Sequence, residues 1–377
     1  MKIRTITSFI TLTGKRDEEK IKAAHVLNNK IAAFFLENGY EVQSTRITTN
    51  PFAEYAGKNR TSVLKTMSDI GNTCRENEID FLSIGCARNS SEMECIPEIL
   101  SFNPMFYASS LISSDKSIDY DSLKTTAQVI KELGHIDTMN NFRFCASAFP
   151  VSHIPFFPAS FNTDIEGFAI GCENGGILYK TFNKHKEEQE TMRDLADIFE
   201  EGYKTVEKLA KNISKATGFP YLGIDTSIVP GVTKESSVAF AYERMGFGNF
   251  GKMSTLHLSS LITSITKNVP VKRTGFCGLM LPMCEDEGLA MRSDEETYNL
   301  SNLLLYSAVC GCGLDTIPIP GNTSEKIIAS ILKDVATLAV KMKKPLMSRL
   351  LPIKKHSAGD NTGFESPYLI NCKILDV

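Results

Sequence analysis

Hydrophobic positions along this chain switch between two periods. Where they alternate they predict strands; where they recur every three or four residues they predict amphipathic helices. Residues 3–12 alternate and are rich in Thr and Ile, which reads as a strand. Residues 18–38 place Ile21, Ala24, Leu27, Ile31 and Phe35 on one helical face and stop at Gly39, a suitable C-cap. Four further strands are expected at 42–49, 80–85, 106–112 and 142–149, with helices at 60–76, 96–102 and 121–133 between them. The rhythm then breaks. Residues 150–163 hold Pro150, Pro155 and Pro158 among Phe156, Phe157 and Phe161, and nothing there is helical. Five more strands follow at 167–172, 221–228, 274–281, 313–319 and 345–353. Their helices are expected at 184–217 (one long helix or a broken pair), 236–245, 254–265, near Glu287, 298–309 and 325–341.

Ten strands mostly alternating with helices, and no low-complexity linker, predict a single α/β domain over residues 1–377. The proline-rich break divides it into halves of about 1–150 and 164–353, followed by an extension, 354–377. No internal repeat marks the halves.

Composition narrows the function. Hydrophobic residues make up 42% and charged residues 23%, which is ordinary for a globular protein. A net charge of -3 and the lack of a basic cluster with interleaved aromatics argue against nucleic acid or anionic lipid as a partner. Met1 to Thr7 alternates like a strand and lacks a signal peptide's apolar core. No run approaches the length of a membrane span, so a soluble, cytoplasmic protein is expected. The ten cysteines are scattered through apolar runs and read as buried, reduced thiols; Cys310-Gly311-Cys312 does not have zinc-knuckle spacing.

The most chemically suggestive stretch is residues 274–290. An apolar, glycine-relieved run stops at Pro282 and delivers Glu285, Asp286 and Glu287 before a helix. Carboxylates at the C-terminal end of a buried strand stand where α/β enzymes place their chemistry. They can serve as general acid and base, or hold a divalent cation through oxygen. The competing reading is that acids favour a helix's first turn, where they offset the macrodipole.

Asp225 and Asp315 each interrupt an apolar strand, in Gly-Ile-Asp-Thr and Gly-Leu-Asp-Thr. A buried carboxylate is costly unless paired. Each therefore either faces a site or is tied to a structural partner such as Arg273 or Arg349. Gly246 to Gly251 matches G-x-G-x-x-G, but a helix precedes it, so a dinucleotide site is rejected and no NAD is expected. The helix after those glycines, opening at Ser254 and Thr255, is a candidate seat for an anionic group. Ser237 and Asp286 complete the candidate substrate-binding set, with Ser237 also a natural N-cap. Cys284 lies beside acids that disfavour its thiolate. The six histidines (His25, His135, His153, His185, His257 and His356) form no close-spaced metal pair, and His153 and His257 are the two to watch.

Four segments in order carry a family resemblance over almost the whole chain. They are Lys2 to Thr7, Gly223 to Ser227 with Ser236 to Ala239, Glu285 to Gly288, and Gly313 to Pro320. Together they resemble the domain-of-unknown-function family 711, also called uncharacterised protein family 0210. That family is similar in fold to pyruvate formate-lyase. The resemblance implies a ten-stranded β/α barrel of two five-stranded parallel halves, and a homodimer. It implies no reaction. The chain is shorter than typical members, and Pro158 to Asn162 replaces a histidine-containing segment, so no histidine role carries over. The C-terminus, Asn371 to Val377, lacks the glycyl-radical motif, so radical chemistry is not expected either.

Two functional readings follow. One is an enzyme using carboxylate acid–base or divalent-metal chemistry on a small anionic metabolite, with Glu285 and Glu287 leading and Asp225 and Asp315 opposite. The other is a non-catalytic ligand-binding or regulatory protein whose acids are structural. A pocket where several of the carboxylates converge favours the first; acids that each bond only to backbone N–H groups or surface arginines favour the second.

Overall fold

The computed structural model describes residues 1–184 and 187–377, so His185 lies outside the described residues. Nine strands form one sheet among them: β1 (Lys2–Ile10), β2 (Thr45–Thr49), β3 (Leu82–Ala87), β4 (Phe106–Leu111), β5 (Phe144–Ala148), β6 (Gly167–Glu173), β7 (Tyr221–Asp225), β8 (Gly313–Pro320) and β9 (Leu346–Ile353). The sheet order is β7-β6-β1-β2-β3-β4-β5-β9-β8. β1 to β5 run parallel, as do β6 with β7 and β8 with β9. The joints β1/β6 and β5/β9 are antiparallel. The first five strands thus form one parallel set, flanked at each edge by a parallel pair that runs the opposite way.

The expected strand over 274–281 is not one, and the sheet does not close. Gly275 and Cys277 take positive φ values of 84° and 48°, which interrupt the extended backbone of a regular strand. The N–H groups of Phe276 and Cys277 go to the Asp225 carboxylate at 2.8 and 2.9 Å instead of to a neighbouring strand. What remains is a set of single parallel bridges, Ile224 with Arg273 and Ile228 with Leu279 on one side, Pro282 with Asp315 on the other. The helical run expected over 184–217 contains the helix Glu188–Thr217, and a further helix, Gly175–Lys184, precedes it where a loop around Gly175 and Gly176 was expected.

Helices pack on the outer face of the sheet through a large apolar core that includes Ile6, Phe106, Phe144 and Phe168. The inner face differs. Thr7 donates to Pro155 O at 2.8 Å, Ser83 donates to Ser160 O at 2.7 Å, and the Thr48 and Ser160 hydroxyls meet at 2.7 Å. Small hydroxyls on the strands thus satisfy the Pro155 and Ser160 carbonyls of the proline-rich segment. Residues 150–163 lie along this face and meet 274–282 in a second, smaller core of Ile154, Phe156, Phe276, Met280 and Met347.

Gly171 on β6 makes that packing possible. A Cβ there would stand 2.5 Å from Phe156 Cζ. Gly171→Ala should therefore cost about 1–3 kcal/mol by overpacking, read as a lowered urea midpoint with an unchanged m-value.

Candidate functional site

Where the first strand set begins and the second set ends, the sheet encloses a cavity of about 130 Å³. Strand alternation aims the side chains into it. On β2, Thr48 faces inward, so Arg46 two residues earlier does as well. Tyr107 on β4 and Arg349 on β9 join it, as does Phe81 just before β3. Arg4 needs a further device. Ser8 of β1 bonds Asn28 of the helix layer at 2.6 Å, and strict alternation would send Arg4 the same way. The pairing of β1 with β6 shifts register between Ile3 and Thr5, and Arg4 lines the cavity. Re-aiming a side chain is a common role of such bulges beside functional sites.

The charges are arranged around Arg349. Its Nη2 lies 2.6 Å from Glu285 Oε1, and its Nε donates to Asp315 Oδ1 at 2.6 Å. Its guanidinium also sits 4.8 Å from the centroid of the Phe142 ring. Burial works against the charge on Arg349, but Asp315 and Glu285 hold its pKa above the ordinary arginine value. Burial pushes the Glu285 carboxyl above its ordinary value, against the pull of Arg349. Arg4 donates to Glu173 at 2.9 Å and stands 3.6 Å from Glu285.

Arg46 is different. It lies 5.5 Å from the Phe81 ring centroid and 5.2 Å from that of Phe157, and its Nε donates to Ser44 Oγ at 3.1 Å. Among the described residues no carboxylate pairs with it. Burial, reinforced by Arg4, pushes its pKa down to about 10. A second cavity, of about 520 Å³, shares Arg4, Gln43, Glu285 and Tyr368 with the first and serves as its vestibule. Tyr368 comes from the C-terminal extension and stacks on Phe142 at 6.4 Å.

The eight sequence candidates therefore separate. Glu285 and Asp315 line the cavity and share Arg349. Glu287 does not face it; it is the first residue of the helix Glu287–Asp294, where an acid offsets the dipole. Asp225 is wholly buried and accepts from Phe276 N, Cys277 N and Ser227 N and Oγ. Burial raises its pKa against those four bonds. It pins the 274–278 turn to β7 and lines neither cavity. Asp286 accepts from Gly288 N, Leu289 N, Ser237 Oγ and Val238 N. Ser237 in turn accepts from Phe240 N. The two side chains cap the helices Glu287–Asp294 and Val238–Glu243 together. Ser254 has φ of 73° and makes no cap bond, while Thr255 Oγ1 accepts from Gly251 N. Both stand away from the cavity, so the anion seat expected there is not part of this site.

The cavity's arginines and aromatics were missed as a group. Arg349 entered only as a partner for an aspartate. The signal was available: an arginine in the otherwise apolar run Leu346 to Ile353 has the same claim to a buried partner as Asp315. His153 bonds Asn162 at 3.0 Å and His257 bonds Glu188 at 3.1 Å, neither in the cavity. All ten cysteines are free and buried, as expected. Metal chemistry finds no natural seat between Glu285 and Asp315, because the Arg349 guanidinium already bridges them. No helix among the described residues is long and apolar enough to cross a membrane.

The chain matches the family described as Uncharacterised ACR (DUF711) over residues 1–365. Proteins named UPF0210 protein are similar along its length. That of Oenococcus oeni is 27% identical over 402 residues, covering 96% of this chain and 88% of the relative. That of Lactobacillus helveticus is 26% identical over 397 residues with the same coverage. One from Pyrobaculum aerophilum is 27% identical over 259 residues, 66% of this chain and 57% of the relative. With a match that runs through every strand and reaches Glu285, Asp315 and Arg349, the chain belongs to the DUF711 family, whose UPF0210 relatives occur in bacteria and in an archaeon.

Proposed function

We propose that this protein is an enzyme that binds a small anionic molecule in the inner cavity and moves a proton to or from it through Glu285. The observation that carries the reading is Arg46, a guanidinium lying against the Phe81 and Phe157 rings with no carboxylate partner among the described residues, lining a cavity that also holds Glu285. Arg46 is half-buried; a cation partly withdrawn from water without a counterion is costly, and an anionic ligand would relieve that cost. Glu285 suits proton transfer because burial raises its pKa toward working pH. Asp315 acts through Arg349 and is a positioning residue. Asp225 and Asp286, bonded to backbone N–H groups, support the fold, as the non-catalytic reading expected of them.

The test is a thermal-shift screen of small anions against the parent and Arg46→Gln. A ligand that binds only the folded state raises the midpoint by mass action. An anion that stabilises the parent and not the variant is the expected result. Midpoints unmoved by every anion would sink the reading. Following the bound compound by NMR over hours then separates enzyme from binding protein: chemical change or solvent deuterium incorporation, lost in Glu285→Gln, is expected.

The fold belongs to the same proposal. Residues 273–282 bridge to β7 on one side and to β8 on the other, the place a tenth strand takes in a barrel of the pyruvate formate-lyase type. Homodimerisation and a cytoplasmic location rest on the family resemblance and the sequence; light scattering measures the first.

A further inference from the structure

Building on that reading, we infer that the ligand of the inner cavity is a monocarboxylate with a compact, branched or aromatic apolar body. The charge comes from pairing. Arg349 is taken by Glu285 and Asp315, and Arg4 by Glu173 with Glu285 close by. Only Arg46 is uncommitted, so the cavity has a place for one singly charged group. A second negative charge on the ligand would meet the Glu285 and Asp315 carboxylates and find no free cation. A planar carboxylate also suits the guanidinium fork, whose Nη atoms are free while Nε is held by Ser44.

The body comes from the rest of the wall. Phe156, Val229, Met280 and Met347 supply apolar wall to the same cavity. Phe156, Met280 and Met347 belong to the inner core that joins the two inserted segments, so this wall is packed from behind. A cavity of about 130 Å³ is close to the ~150 Å³ that accommodates benzene. That admits a ligand on the order of six to eight non-hydrogen atoms. An inorganic ion would leave the apolar wall unfilled.

The experiment is calorimetric titration of the intact protein with 3-methylbutanoate, acetate, succinate and inorganic phosphate, and with 3-methylbutanamide as the uncharged isostere. The three extra carbons of 3-methylbutanoate should tighten binding over acetate by about sixty-fold, at roughly four-fold per buried carbon. The amide should bind at least about ten-fold more weakly than the acid, for want of a charge-assisted bond. Arg46→Met should reduce the acid to the level of the amide. Arg46→Lys, which keeps the charge but not the fork, should fall between. If succinate or phosphate binds best and needs Arg46, the inference is overturned while the anion-binding reading stands. If the amide binds as well as the acid, the cavity is merely greasy and the inference falls. If no compound binds, the inference and the reading beneath it both fall.

Discussion

Arg349→Met is expected to cost the fold about 3–5 kcal/mol, because it strands two buried carboxylates. Methionine keeps most of the aliphatic volume, so the loss measures charge more than packing. In the parent, Glu285 and Asp315 share one guanidinium at 2.6 Å each, and all three side chains are nearly inaccessible to water. In the variant both carboxyls lose that countercharge, and the folded pKa of Glu285, already raised by burial, moves further above its unfolded value. Between those two values the folded state binds more protons than the unfolded state, so stability falls as pH rises through the window. The deficit should be small near pH 4 and full above neutrality. Urea denaturation of parent and variant at several pH values reads this directly. Adding Glu285→Gln and Asp315→Asn to Arg349→Met should recover much of the loss and flatten its pH dependence. A single variant that is stable within about 1 kcal/mol at pH 8 would show that the triad is solvated and shared with water, and the account of the cavity's electrostatics would fail with it.

What could be read from the sequence follows from what periodicity measures. Alternation located nine of the ten expected strands to within a few residues, because an apolar face packed under helices leaves a period-two trace. It failed at 274–281 for a specific reason. That run is apolar because it fills the interior, not because it pairs, and Asp225 takes the N–H groups a strand would have used. Apolar content alone does not separate those cases. The same limit applies to the site. Asp315 was legible because a carboxylate in an apolar strand demands a partner, and the partner is Arg349, one of the two arginines considered for it. Arg46 was not legible. Its strand, Thr45–Thr49, is polar apart from Ile47, so nothing in its neighbours marks the arginine as shielded from water. Its partial burial depends in part on Phe157, more than a hundred residues away, and no local pattern reports that. Arg4 depends on a register shift against β6, which is equally invisible from β1 alone.

The acidic turn posed a choice between catalysis and capping, and its three carboxylates divide between the two. Glu285 points into the cavity, Glu287 offsets a helix dipole at the edge, and Asp286 joins two helix N-termini across 49 positions of sequence. Asp286→Ala is therefore expected to be the most damaging change in the turn, costing about 3–5 kcal/mol, the sum of two lost caps and the donors left buried without partners. Burial pushes the Asp286 pKa up to about 6, with Ser237 and three backbone N–H groups pulling it back. Neutralising it is thus less costly than removing it, and Asp286→Asn should lose less than half as much as the alanine variant. Glu285→Gln should behave in the opposite way. It leaves Arg349 bound to Asp315 and should fold with a loss of about 1–2 kcal/mol, while altering whatever the cavity does to its ligand. Chemical denaturation supplies the stabilities, and calorimetric titration of the folded fraction supplies ligand affinity. If Asp286→Ala kept its stability and lost ligand binding, the assignments of Asp286 and Glu285 would have to be exchanged. The expected outcome separates them cleanly, because one carboxylate spends its oxygens on four donors of the fold and the other is held by guanidiniums at the wall of a cavity.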